Sequence, residues 1–98
     1  MAKAVSALIV TGFADRSSAT VGSKETVTAV ASGGSGSYTY SILMRNKDTN
    51  AWYRFSDFKS SNSITWTAST AGNREFYVEV KDRTGKVARN SAVSVVVK

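Results

Sequence analysis

Residues 72–97 read Gly72-Asn73-Arg74-Glu75-Phe76-Tyr77-Val78-Glu79-Val80-Lys81-Asp82-Arg83-Thr84-Gly85-Lys86-Val87-Ala88-Arg89-Asn90-Ser91-Ala92-Val93-Ser94-Val95-Val96-Val97. From Glu75 to Asp82, apolar Phe76, Val78 and Val80 alternate with Glu75, Glu79 and Lys81, the two-residue period of a strand with one face in a core. Asp82-Arg83-Thr84-Gly85 is turn chemistry: Asp bonds its own backbone and Gly takes positive φ without steric cost. The closing Val93-Ser94-Val95-Val96-Val97 tract is β-branched and too short to span a bilayer. The stretch therefore predicts a long hairpin whose second arm is the last strand.

Working back toward the start, Ser63–Ala68 repeats the alternation, with Ile64, Trp66 and Ala68 inward and Ser63, Thr65 and Thr67 outward. Ala51–Ser56 is a short strand with aromatics on both faces, which cannot hide all its rings at a sheet edge; Phe58 in the irregular segment after it is expected to reach back as a plug. Asn46–Asn50 is a polar turn, and Tyr38–Arg45 is a strand with a core face of Tyr38, Tyr40, Ile42 and Met44. Lys24–Ser32 is a strand whose inward Val27, Ala29 and Ala31 are small and leave room for something large opposite. Gly33-Gly34-Ser35-Gly36-Ser37 lacks a following helix and a Gly-Lys-Ser/Thr ending, so it is an inter-strand turn and no phosphate loop. Val5–Thr11, ending at Gly12, is the first strand, and Phe13–Gly22 crosses between sheets.

About seven short strands with turn signals between them and no helical period predict an all-β fold, an antiparallel two-sheet sandwich of the immunoglobulin-like kind. The 98 residues suffice for one core, so residues 1–98 are read as a single domain. Met1 is read as the start of a piece excised from a larger multidomain protein. Hydrophobic residues make up 42% and charged ones 20%, enough apolar surface to offset the ordering entropy of the chain. Cysteine, histidine and proline are all absent. Disulfides, thiolate metal sites and the usual nucleophile–base pairs fall away with the first two.

The net charge of +6 invites a polyanion partner, but the basic residues are scattered. Threaded as a sandwich, Arg83 and Lys86 fall near the Gly33 turn at one pole, and Arg16, Arg45, Lys47 and Arg74 toward the other. No continuous track forms, so no nucleic-acid partner is expected, and Ala7–Val10 is too short for membrane insertion.

Several separated blocks carry a resemblance. They are the run Ala31-Ser32-Gly33-Gly34-Ser35-Gly36-Ser37-Tyr38-Thr39-Tyr40, then Trp52 followed by Asp57-Phe58, then Ile64-Thr65-Trp66, and finally Ala71–Asp82. In this order they resemble the bacterial immunoglobulin-like modules of the triple-tyrosine type, over roughly residues 22–98. The resemblance implies a tandem module of a multidomain cell-surface or secreted protein, hence an extracellular location. It departs from that pattern where Arg74 and Phe58 stand in place of tyrosines. Arg74 falls where an immunoglobulin-like fold puts its corner tyrosine, so that hydrogen bond must be remade by the guanidinium or is missing.

The expected function is a non-catalytic structural, adhesion or spacer module, with no catalytic residue, cofactor or metal site. The alternative is a carbohydrate-binding accessory module of a secreted glycan-active enzyme. Expected partners are neighbouring domains of the same chain and a cell-wall polysaccharide or a host or surface protein. The candidate ligand contacts are Trp52, Tyr53, Arg54 and Tyr77: flat rings stack on sugars while Arg54 or Glu79 bonds hydroxyls. Trp52 serves equally well as a filler over the small side chains of Lys24–Ser32. Asp48 with Asn50, or Asp82 with the Gly85 turn, supply oxygens of the type calcium takes, but neither shows the several acids of a dedicated loop, and a solvated turn is the better reading.

Overall fold

A computed structural model describes residues 7–55 and 57–98, apart from the side chains of Ala92 and Val93. Among the described residues there are eight strands and no helix: β1 (Ile9–Ala14), β2 (Ser18–Ala19), β3 (Lys24–Ser32), β4 (Thr39–Asn46), β5 (Trp52–Arg54), β6 (Ser63–Thr67), β7 (Gly72–Lys81) and β8 (Val87–Val97). They form a three-stranded sheet in the order β1-β3-β6 and a five-stranded sheet in the order β2-β8-β7-β4-β5. The two sheets pack together and share one core.

The predicted hairpin is the centre of the larger sheet. β7 pairs with β8 on one side and β4 on the other, and its alternation places Phe76, Val78 and Val80 at 0% exposure. Val10, Ala19, Val27, Ala29, Ile42, Ala68, Val95 and Val97 complete the buried cluster, with Tyr40, Ile64 and Trp66 packed half-buried against it. Phe76 shares the buried cluster with the small Val27 and Ala29, and its ring meets Trp66 edge-on at 5.4 Å and stacks on Phe55 at 6.2 Å. Val93, expected in this core, has its side chain outside the described residues.

The β7–β8 register shifts at one point. Phe76 faces Val93 but Tyr77 faces Ser91, so β8 carries one extra residue, a bulge that exchanges its inward and outward faces. Ahead of it Asn90 rather than a valine turns inward, and its side-chain amide donates to Val10 O at 3.1 Å, tying the sheets together. This polar cross-tie is why alternation fades between Val87 and Ala92 in the sequence.

Two expectations at the start of the chain are corrected. The first strand runs through Gly12 to Ala14; Val5 and Ser6 lie outside the described residues. Gly12 does not end it because it pairs in register with Ala29, and sheet pairing outweighs the local breaker signal. The sheets are also not wholly antiparallel: β2 pairs in parallel with β8. The chain crosses between sheets after Ala14 without reversing direction, so it arrives alongside β8 pointing the same way. Ser17 O and Ala19 O accept from Val96 N and Lys98 N.

The turns at one pole interlock. Asp82 is 5% exposed; its Oδ1 accepts from Thr84 N, Thr84 Oγ1 and Lys86 N, and its Oδ2 accepts from Ser35 N at 3.2 Å. Arg83 N donates to Gly36 O, so the hairpin turn sits on the Gly-rich loop, as the threading expected. Gly34 has φ of +60°, and a Cβ there would meet Asp82 Oδ2 and Leu8 Cδ1, each at 2.9 Å. Gly34→Ala is therefore expected to cost about 1–3 kcal/mol, read as a lower urea midpoint; an unchanged midpoint would show that the loop relaxes freely.

Candidate functional site on the outer face of the five-stranded sheet

β5 is the edge of the larger sheet, and its side chains alternate like those of its neighbours. Trp52 pairs with Arg45 and Arg54 with Leu43, which puts both on the outward face with Glu75, Tyr77 and Glu79 of β7 and Arg89 of β8. Trp52 and Tyr77 lie with ring centroids 5.0 Å apart at 38°. The Arg89 guanidinium carbon is 5.4 Å from the Trp52 ring and 5.3 Å from the Tyr77 ring, a cation–π arrangement over both.

Ion pairs hold this stack in place. Arg54 Nη1 is 2.8 Å from Glu79 Oε1 and Arg89 Nε is 3.5 Å from Glu79 Oε2, so one carboxylate positions two guanidiniums. Arg54 Nη1 also donates to Ser41 Oγ. One row along, Glu75 Oε1 accepts from the Tyr77 hydroxyl and from Arg45 Nη1 at 3.4 Å. The Tyr77 hydrogen bond, with help from Arg45, holds the Glu75 carboxyl below its usual range. The same bond pushes the Tyr77 phenol up. On this otherwise solvent-facing side, Leu43 and Ser41 are 6% and 1% exposed, a burial that alternation along β4 did not predict.

Of the four candidate contacts, the structure brings Trp52, Arg54 and Tyr77 together and leaves Tyr53 apart. Tyr53 pairs with Met44 and projects from the opposite face, where it meets Phe55 edge-on at 4.9 Å. Trp52 fills no space over β3, since it lies on the other side of the larger sheet. Arg89 is the member that sequence reasoning missed. Its signal was available only through the pairing of Glu79 with Arg89.

The opposite pole holds two buried ionic groups. Arg74 is 4% exposed; its Nη2 donates to Thr70 Oγ1 at 2.8 Å and to Thr70 O at 3.4 Å, its Nη1 donates to Asn73 O, and Asp48 Oδ2 lies 3.7 Å away. Glu25 is 0% exposed, with no hydrogen-bond partner for either oxygen among the described residues. Arg16 Nε is 3.2 Å from its Oε1, close enough for attraction without hydrogen-bond alignment. Burial, reinforced by the neighbouring Asp15 carboxyl, raises Glu25 to about 7.

The oxygens weighed for calcium are engaged by donors. Asp82 is bound by N–H and O–H groups as described, Asp48 accepts from Asn73 N, and Asn50 Oδ1 accepts from Arg45 Nη2. Phe58 is half-buried with the Lys81 ammonium 4.5 Å from its ring, while neighbouring Lys59 bridges to Tyr40 along the edge of β4. Compared with protein-family models and with curated proteins, the chain matches no family and no characterised relative.

Proposed function

We propose that this chain is a non-catalytic immunoglobulin-like module of a bacterial cell-surface or secreted protein, working as a spacer or adhesion unit. The observation that carries the reading is the placement of the first and the last described residues. Leu8 sits against Gly34 at the Asp82 pole, whereas Lys98 N donates to Ala19 O at the pole of Arg74 and Glu25. A chain that enters at one pole and leaves at the other joins its neighbours head to tail, and a packed core fixes the distance between them.

Strand order supports the immunoglobulin-like reading. β1, β3 and β6 correspond to strands A, B and E of that fold, and β4, β7 and β8 to C, F and G, with β5 as an added C′ edge. Arg74 supports it too, since its guanidinium reaches back to Thr70 O, the kind of upstream backbone bond a corner tyrosine makes. The second reading, a carbohydrate-binding accessory module of a glycan-active enzyme, draws on the half-exposed Trp52, and the domains flanking this one in the full-length protein separate the two.

The spacer reading is tested with two copies joined directly, Lys98 to the next copy's first residue. Small-angle scattering is expected to give a rod-like particle with a maximum dimension close to twice that of one copy. A compact side-by-side particle would overturn the reading.

A further inference from the structure

We propose that the outer face of the five-stranded sheet binds an acidic polysaccharide, with Trp52 and Tyr77 as the platform for a sugar ring and Arg54 and Arg89 as ligands for its carboxylates. This rests on the adhesion reading above and names the partner class of that surface.

The first support is preorganisation. Glu79 uses both oxygens to hold Arg54 and Arg89, and Arg89 is further fixed against the two rings. Immobilising two long side chains is a main cost of binding, and here they are already ordered in the free protein. These contacts engage one nitrogen of Arg54 and one of Arg89, while each guanidinium carries five N–H donors in a planar fork that matches a carboxylate. Both side chains remain open to solvent, at 40% and 46% exposure.

Charge and shape favour an anionic sugar over other ligands. Arg45, Arg54 and Arg89 face Glu75 and Glu79, and both carboxylates are already paired to these arginines, so the face is net cationic on a chain of net charge +6. Trp52 is 50% exposed on the edge strand, so half of it stays open to solvent with Arg89 over its ring and Tyr77 beside it. From the Arg45 row to the Ser41 row is four residues, about 13 Å along the strand, room for a short run of sugar rings. A nucleic-acid strand would want successive stacking platforms along a basic track. This face offers one aromatic pair, interrupted by the two glutamates.

The test is native affinity electrophoresis of the whole chain in gels containing polygalacturonate, with parallel gels containing dextran, poly-glutamate or double-stranded DNA. Polygalacturonate is expected to retard the protein most. Arg89→Ala and Trp52→Ala are each expected to weaken that retardation at least tenfold in apparent Kd, with unchanged urea midpoints because both side chains are half-exposed. The double variant Arg83→Ala/Lys86→Ala, which lowers net charge at the distant hairpin turn, is expected to lose less than threefold. Equal retardation by poly-glutamate or DNA would reduce the interaction to charge alone and overturn the proposal, as would equal retardation by dextran, unaltered binding in the two face variants, or no retardation at all. The tandem scattering result stands whatever this experiment gives, so the two proposals fail separately.

Discussion

Truncating Phe76 to Ala is expected to lower the unfolding free energy by about 3–5 kcal/mol, the largest loss from any single core substitution here. Phe76 is fully buried at the midpoint of the most extensively paired strand, and its ring touches Trp66 from the small sheet and Phe55 from beyond the edge strand. The small Val27 and Ala29 of the same buried cluster cannot close the void, so the loss combines removed burial with a cavity that collapses only in part. Trp66→Ala, at a half-buried position, is expected to cost less despite its larger ring. Urea titration of both variants checks this. A Phe76→Ala loss below about 1 kcal/mol, or a larger loss at Trp66, would place the centre of the core elsewhere.

Replacing Glu25 by Gln is expected to stabilise the protein increasingly as pH rises above 4.5, and most at neutral to alkaline pH. The folded-state value of about 7 lies above the ordinary 4.5, chiefly because burial disfavours the charged carboxylate and secondarily because Asp15 is beside it. Below pH 4.5 the group is protonated in both states and contributes no pH-dependent penalty. Between 4.5 and 7 the unfolded chain releases the proton while the folded chain keeps it, so stability falls as pH rises, reaching a penalty of about 3 kcal/mol above pH 7. Asp15 opposes this: its value is lowered, chiefly by the neighbouring Glu25 carboxyl and then by the hydrogen bond from Thr26 N, so its contribution is lost as pH falls through that lowered value. Gln is neutral throughout, so it removes the charge that burial disfavours. Denaturant midpoints are expected to favour Glu25→Gln by about 2–3 kcal/mol at pH 8 and to converge with the parent near pH 4. A difference that stays constant across pH would show that Glu25 does not titrate in this window.

The elements were largely legible because β periodicity is local. β3, β4 and β6 fall within a residue of the alternating segments, β7 begins three residues before the alternation read from Glu75, and the position of the hairpin turn follows from Asp82 and Gly85. The aromatics of β5 showed that one ring had to stay exposed, and Trp52 and Tyr53 both do. Gly12 misled because a breaker signal carries no information about a pairing partner. Glu25 was invisible as a buried acid: it sits at the end of an alternating strand, where a charge ordinarily snorkels or faces solvent, and only the crossover bearing Asp15 and Arg16 closes over it.

The sequence by itself determined an all-β fold, most of its strand segments and, in the strands without a bulge, which residues share a face, since a two-residue period is a property of the backbone. Only the tertiary structure decided which strands are neighbours, and so that Trp52, Arg54, Tyr77, Glu79 and Arg89 meet on one surface while Tyr53 does not. That information is carried by inter-strand register, by the parallel arrival of β2 and by the bulge in β8. All three arise from long-range hydrogen bonding between segments whose sequence separation leaves no periodic trace.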